Sequence, residues 1–524
     1  MSAQAAIKTE SASTYDDVPY KSFSHSDTHP SHISTVATLF GLTPPDFKTA
    51  RVLELGCAGG GNLLPLALSY PDASFLGLDL SQEQITQAQQ QKKEFNLKNI
   101  EFRQQDILTF ASKEKFDYII CHGVFSWVPG AVQEKILKLC NESLSPQGMA
   151  VISYNTLPGW NAVRSLREMM LYHTNQFSDP AEKIRQARIF LDFLAENVSE
   201  GNKGYYAVIE DERNLLKGAN DTYLYHDHLE HENTQFYFHD FVRLANAEGL
   251  HYVGDTSLTS MYLGNLSPKA TEALKVLNNN IIGQEQYMDF IRNRRFRSSI
   301  LCKDAQKINR GLQNEQIMNF FLTTSLSLET VNPDPKKNIT FKAAAGKITT
   351  HDPITGALFL ELVTAGERPV MAKDLVSRAQ KKLGLPTPQP VHDALVKQGL
   401  QLVLRGFINL HSDSPHCVTT VSQKPVLFPL ARHQAGLKNC QVVTNVLGRS
   451  VPGDIVSHLV MQNLDGTRTA EDLVNILVEN VQNGALKIAR NGNPVMDVQE
   501  VRREMTAVVN QLLPRLAALG LLIG

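Results

Sequence analysis

Nothing in the 524 residues approaches a bilayer-spanning run of about 18 apolar residues, so no membrane insertion is expected. Residues 1–13 are polar and lack the apolar stretch of a secretory leader. Charge of one sign is also missing. With 51 basic and 53 acidic side chains the net charge is −2, which gives no electrostatic case for nucleic acid or an anionic membrane as partner. The six cysteines (Cys57, Cys121, Cys140, Cys302, Cys417 and Cys440) form no C-x-x-C pair. That argues against a zinc site or a disulfide framework and for a reducing, cytoplasmic setting. Tryptophan is confined to Trp127 and Trp160. What remains is ordinary globular composition, 42% hydrophobic and 20% charged, at a length that implies about two to four domains.

The most informative string is residues 51–61, Arg-Val-Leu-Glu-Leu-Gly-Cys-Ala-Gly-Gly-Gly, with Leu78-Asp79 ending the next apolar run. It predicts a buried strand over 52–55, a glycine loop, a helix over 62–69 and a second strand over 74–78 that ends in an acid. Glycines let the backbone approach a nucleotide-like ligand, and an acid at the next strand end can hold a ribose diol. Dinucleotide sites want G-x-G-x-x-G, with pyrophosphate on the helix N-terminus. Here Glu54 stands two residues before the first glycine, Gly56. A carboxylate there would repel a pyrophosphate but suits a cationic ligand with an amino group, such as S-adenosylmethionine.

The pattern resembles motif I of the class I methyltransferases. Gln105-Asp106-Ile107 closes a third strand, where such enzymes contact adenine. Residues 116–123, Phe-Asp-Tyr-Ile-Ile-Cys-His-Gly, resemble their fourth strand and the loop after it. Helices over 82–95 and 131–144 and strands over 100–103, 116–121 and 149–154 continue the core. Strands six and seven are expected near 250–254 and 297–302. They would complete a seven-stranded, Rossmann-like α/β sheet interrupted by helical insertions at 156–235 and 256–294. The expected divisions are an N-terminal segment and cofactor lid (1–45), a cofactor-binding core (46–155), a helical insertion for substrate or dimer contacts (156–235), the remainder of the core with a regulatory region (236–304), and a C-terminal α+β region (305–524). In that last region, helices at 354–363, 372–382 and 391–398, an apolar strand at 400–404 and a loop to 417 resemble a winged helix. Residues 454–461 and 470–478 repeat the rhythm weakly about a turn at 464–467. Helix 391–398 carries one Lys and one Asp, poor footing for a phosphate backbone. Protein contact or substrate positioning is therefore expected, not DNA binding.

Other strings are unusual: residues 122–129 (His-Gly-Val-Phe-Ser-Trp-Val-Pro), 153–160 (Ser-Tyr-Asn-Thr-Leu-Pro-Gly-Trp), 225–230 (Tyr-His-Asp-His-Leu-Glu), 237–241 (Tyr-Phe-His-Asp-Phe), 287–290 (Tyr-Met-Asp-Phe) and 293–297 (Asn-Arg-Arg-Phe-Arg). With Thr28-His29-Pro30 upstream, the chain resembles bacterial proteins with a methyltransferase regulatory domain. That group includes the rickettsial protein-lysine methyltransferases that act on an outer-membrane protein. The resemblance implies S-adenosylmethionine as cofactor and a protein acceptor methylated on lysine, with an outer-membrane protein as a candidate. It also implies a dimerising middle region, hence a candidate homodimer. A small-molecule N- or O-methyltransferase and a non-catalytic S-adenosylmethionine sensor stay open as alternatives.

The site residues follow from the same motifs. Glu54, Gly56, Cys57, Ala58 and Gly60 would shape the methionine pocket. Asp79 would take the ribose hydroxyls, with Leu80 on the adenine face. Asp106 and Ile107 would hold the adenine amine and edge, and His122 and Gly123 would lie beside the sulfonium. Asn62 is a ligand contact or a helix cap. Tyr20 and His29 belong to an N-terminal lid, with helix capping as the alternative for His29. On the acceptor side, Tyr154 and Asn155 end the fifth strand, where α/β enzymes place substrate-facing groups. Trp127 lines the pocket or packs a loop. Tyr223 and Tyr225 orient an amine or belong to the core. His226, Asp227, His228, Glu230, His231 and Glu232 form a polar run resembling a metal site, yet no single secondary structure aligns them. The expectation there is a hydrogen-bonded junction without metal, with His226 as a candidate proton acceptor or substrate contact.

Overall fold

Val52, Leu53 and Leu55 are buried on both faces of their strand, as a run inside a parallel sheet must be. The computed structural model describes residues 22–198, 201–303, 308–343, 346–438, 440–490, 493–494 and 497–524. In it this run is β1 (Arg51–Leu55), followed by β2 (Ser74–Asp79), β3 (Ile100–Gln104), β4 (Phe116–Cys121) and β5 (Leu144–Asn155). β6 (His251–Asp255) and β7 (Phe296–Cys302) finish a sheet of seven strands in the order β3-β2-β1-β4-β5-β7-β6. β1 to β5 pair in parallel. β7 runs antiparallel between β5 and β6. This is the class I methyltransferase fold. The strand order reverses at β1, between β2 and β4, which puts the ligand crevice at the carboxyl end of β1.

Residues 156–235 form the helices Trp160–Thr174, Pro180–Asn197, Lys203–Gly218 and Asp221–His228. Pro180 at the first turn and the Asp179 side chain, which accepts from the Glu182 N–H at 2.9 Å, start the second of them. These helices bury clusters of their own, one around Met170, Leu191 and Leu224.

The C-terminal residues make two units. Helices Pro353–Ala365, Ala372–Leu383 and Gln389–Leu404 pack with a small sheet of Phe321–Thr323, Val370–Met371 and Asn409–His411. The strand expected at 400–404 is instead the last turn of helix Gln389–Leu404. Leu395, Leu400, Val403 and Leu404 are buried at helical spacing, and a short apolar run carries no period of its own to distinguish the two. This unit shares one apolar cluster with the cofactor domain, in which Ile33, Val36 and Phe47 join Leu322, Leu358 and Leu395. The second unit, helices Pro429–Gly436, Ile455–Gln462, Ala470–Gln482 and Val498–Ala518, has a separate core around Leu477, Val509 and Leu521. Its expected turn is present: Asp465 Oδ1 accepts from the Thr467 N–H at 3.0 Å, and Gly466 has φ +86°. No described helix is long and apolar enough to cross a membrane.

β7 is held by a buried charge network. Arg297, 1% exposed, donates to both oxygens of Asp289 (2.7 and 2.9 Å) and to Glu285 Oε2 (2.9 Å), and its guanidinium lies 3.7 Å over the Phe238 ring. Arg294 donates to Asp255 Oδ2 at 2.8 Å. Removing one partner leaves the acids buried without a counter-ion. Arg297→Met should therefore lower stability by about 3–5 kcal/mol in urea unfolding; a loss below about 1 kcal/mol would show that the network carries little of the fold.

Candidate active site

At the carboxyl end of β1 the chain turns with Gly56 at φ +74° and Gly60 at φ +80°. The Gly56 and Cys57 N–H groups donate to the Leu78 carbonyl at 2.8 and 2.9 Å, which ties the loop to the end of β2. A Cβ on Gly56 would stand 2.3 Å from Val124 Cγ2, and one on Gly60 would stand 2.6 Å from the Phe102 ring. Both positions therefore need glycine, for dihedral and for space. Ala58, at φ 44°, donates its N–H to Asp79 Oδ2 at 2.8 Å, and Asp79 Oδ1 accepts from Ser81 N–H at 3.0 Å. Each carboxylate oxygen has more than one lone-pair direction, so Asp79 can brace the loop and still accept from a ligand. Cys57 is buried behind the loop.

Glu54 lies under this loop, 3% exposed. Its Oε1 accepts from Asn62 Nδ2 at 2.7 Å, while Oε2 has no hydrogen-bond partner among the described residues. Burial pushes its pKa up to about 8 against the Asn62 hydrogen bond, with the Asp79 charge adding to the rise. Asn62 starts helix Leu63–Ser69 but does not cap it with its side chain. It also donates to Thr28 Oγ1 (3.1 Å) and accepts from the His25 N–H (2.9 Å), so the capping alternative is overturned.

The segment before helix Pro30–Leu39 thus docks on the loop, and Gly61 N–H donates to Ser22 Oγ at 2.7 Å. The His25 ring lies 4.1 Å from that of His122, and Phe296 of β7 stands edge-on to His122 at 5.8 Å. Burial, then the neighbouring His25, lowers the His122 pKa to about 4, so the ring is neutral at physiological pH. His122 Nδ1 is buried without a partner among the described residues. Gly123, at φ +70°, donates its N–H to Ser153 Oγ at 2.7 Å. Along the edge of the crevice Leu80 is 46% exposed, Ile107 is half-buried, and Asp106 Oδ1 accepts from Leu108 N–H at 2.9 Å. Gln105 N–H joins this turn to the Asp79 carbonyl at 2.8 Å.

Other expected residues lie elsewhere. His29 Nδ1 accepts from the Ser31 N–H at 3.1 Å and its ring packs edge-on to Tyr70, so His29 caps its helix, the alternative role expected for it. Tyr20 lies outside the described residues. Tyr154 faces the core: it is 1% exposed, stacks on Phe241 at 3.8 Å, and its hydroxyl meets Ser299 Oγ at 2.9 Å. A strand alternates its faces, so Asn155, like Ser153, points the other way. Asn155 N–H donates to Ser126 Oγ at 2.9 Å, and its Nδ2 has no partner among the described residues. Trp127 packs edge-on to Trp160 at 5.9 Å, the loop-packing alternative. Tyr223, Tyr225 and His226 sit on helix Asp221–His228, where Tyr225 is in the insertion's own core and His226 Nδ1 lies 3.3 Å from Glu230. The polar run is a junction: His228 Nε2 meets Glu212 Oε1 at 2.8 Å, and Arg295 donates to Glu212 Oε2 at 3.0 Å. Among the described residues no group of His, Cys, Asp and Glu is placed to hold a metal ion. Ser22, His25, Thr28 and Phe296 are site residues that local reading missed. Their partners lie far along the chain, and only the Thr28-His29-Pro30 string marks the segment.

Residues 46–216 match the family described as a methyltransferase domain, and residues 220–303 match the predicted methyltransferase regulatory domain. Residues 423–521 match the PKMT C-terminal winged helix domain, so the named winged helix falls on the second C-terminal unit. An uncharacterized protein of Rickettsia prowazekii is 37% identical over 522 residues, covering 97% of this chain and 93% of its own length. PKMT2 from Rickettsia typhi, solved in complex with AdoHcy, is 34% identical with a TM-score of 0.89 over 97% of this chain and 100% of its own. The chain belongs to this family of class I methyltransferases. Its cofactor is S-adenosylmethionine, and the site fits it. A buried carboxyl with an idle oxygen awaits a cationic amino group, and neutral rings, not cations, border the far end. A second R. prowazekii protein, 41% identical over 240 residues, spans 46% of this chain.

The Glu54 carboxyl can pair with an ammonium only by giving up its proton. From the raised value of about 8, S-adenosylmethionine affinity should rise with pH by up to about tenfold per unit below pH 8, and binding at pH 7 should release about one proton. Titration calorimetry in buffers of differing ionisation enthalpy measures this. Affinity flat from pH 6 to 8 with no proton exchange would contradict it.

Proposed function

We propose that this methyltransferase modifies the side-chain nitrogen of lysine in a protein acceptor. The observation that carries the reading is the extent of the likeness to PKMT2 of R. typhi, which runs through the insertion, the regulatory region and both C-terminal units. Additions of this size around a cofactor core suit a bulky acceptor.

In this reading Glu54 meets the methionine amino group, Gly56, Ala58 and Gly60 let the backbone close on it, and Asp79 accepts from the ribose hydroxyls. Leu80, Asp106 and Ile107 bracket the adenine, and His122 and Gly123 border the sulfonium. The cofactor supplies a methyl on a positively charged sulfur, so the lysine lone pair forms the N–C bond as the C–S bond breaks onto sulfur. The chain's own task is to hold the lone pair about 3 Å from the methyl carbon and keep water out. His25, His122 and Phe296 offer uncharged aromatic surfaces beside that point. The acceptor ammonium must first lose a proton to solvent, and burial beside a second cation lowers its pKa toward that state. Tyr172, Ile189, Phe193 and Leu215 are exposed apolar residues of the helical insertion, a face suited to a homodimer.

Labelled methyl transfer to host-cell lysate tests the reading. Label should appear on methylated lysine of protein, and Asp79→Ala should abolish both transfer and tight cofactor binding. Label confined to small molecules, or to residues other than lysine, would overturn it.

A further inference from the structure

Three polar side-chain atoms at one end of the sheet are buried without hydrogen-bond partners among the described residues: Asn155 Nδ2, Ser298 Oγ and His122 Nδ1. Buried polar groups are ordinarily paired, so an unmatched set in one place asks for a ligand.

Strand register puts this set on the cofactor's side of the sheet. Glu54 pairs with Ile120 of β4, Ile120 with Val151 of β5, and Val151 with Ile300 of β7. Paired residues share a face, and every second residue along a strand returns to it. Toward the carboxyl end of β5 the same face carries Ser153 and Asn155, whose partners on β7 are Ser298 and Phe296. This strip also touches the loop after β4. Ser153 Oγ accepts from the Gly123 N–H at 2.7 Å, and the Phe296 ring stands 5.8 Å from that of His122.

Distance agrees with register. The amino nitrogen and the methyl carbon of S-adenosylmethionine are about 6 Å apart when extended. With a hydrogen bond of about 3 Å to Glu54, the methyl reaches about 9 Å from that carboxyl. β5 is the second strand from β1, about 10 Å away. An acceptor atom in line with the methyl, about 3 Å beyond it, therefore falls over Asn155 and Ser298.

The chemistry of the strip suits an amine that has lost its extra proton. Asn155 and Ser298 carry no charge, and the His122 ring beside them is neutral. A hydroxyl and an amide carbonyl each accept an N–H, and an amide turned about its last torsion presents either end. A carboxylate in their place would hold the ammonium form, whose nitrogen has no free lone pair. Asn155 and Ser298 are diagonal neighbours, about 7 Å apart, so two hydrogen bonds of about 3 Å can converge on one nitrogen between them.

We propose that Asn155 and Ser298 seat the acceptor amine, each taking one N–H and leaving the lone pair aimed at the methyl carbon. The inference rests on the lysine reading above. The ammonium first gives a proton to solvent. The N–C bond then forms as the C–S bond breaks onto sulfur, and the positive charge passes from sulfur to nitrogen.

The test uses the full chain, labelled S-adenosylmethionine and host-cell lysate protein as the acceptor probe, with cofactor affinity measured by calorimetry. Asn155→Ala and Ser298→Ala should each label lysine at a rate lower by about fivefold or more, with S-adenosylmethionine affinity within about twofold of wild type. Asn155→Asp keeps the size but adds a charge that holds the ammonium, so the pH of half-maximal rate should move up by about one unit or more. A merely structural role for Asn155 would leave that pH in place. A wild-type labelling rate in either alanine variant, or an unmoved pH profile in Asn155→Asp, overturns the assignment alone. Loss of cofactor affinity in the alanine variants also overturns it, by making these residues cofactor contacts. Absence of label from lysine in the wild-type protein removes the lysine reading itself, and this inference with it.

Discussion

A carboxyl buried beneath a glycine loop is the constraint from which the site is built. Glu54 sits on the inner strand at which the order reverses, with one oxygen held by Asn62 and the other idle. In water the charged form would be favoured; here burial keeps the proton on until a cation arrives. The free protein thus stores an unsatisfied electrostatic interaction that only a ligand of the right charge relieves.

The Asn62 side chain carries this constraint outward. It joins Glu54 to Thr28 and His25, so the N-terminal segment is anchored by the same hydrogen bonds that set the carboxyl. His25 then meets His122 at the end of β4, and Phe296 enters from β7. β7 holds its place through Arg297, whose acids come from helix Ile281–Arg292 in the regulatory region. The regulatory region is therefore mechanically part of the site. So is the first C-terminal unit, because it shares a core with the cofactor domain. Further ties are Tyr70 to Asp413 (3.3 Å) and Ser412 to the Ser31 carbonyl (2.8 Å), which fix it against the helix that follows the docking turn.

Much of this was legible in the sequence, for reasons that differ by residue. The strands of the sheet are short apolar runs bounded by turns, and Glu54, Asp79, Asp106 and His122 sit at strand ends, where local pattern and family motif agree. Tyr154 misled because strand-end position says nothing about which face a side chain takes; its neighbour Asn155 takes the opposite face. Residues 400–404 misled because the last turn of a helix that buries five apolar side chains looks like a strand when cut off from its start. Asn62, open between a ligand contact and a helix cap, reaches for distant partners, and His29, expected in a lid with capping as the alternative, caps its own helix. Those partners lie across the fold, beyond any local window.

The most direct measurement of the central claim is S-adenosylmethionine binding to Glu54→Gln, which keeps the size and the Asn62 contact but cannot ionise. The account predicts affinity lower by about tenfold or more at pH 8, with the pH dependence of binding gone. Wild-type affinity in this variant, with the pH dependence intact, would mean that the buried carboxyl is not what receives the cofactor.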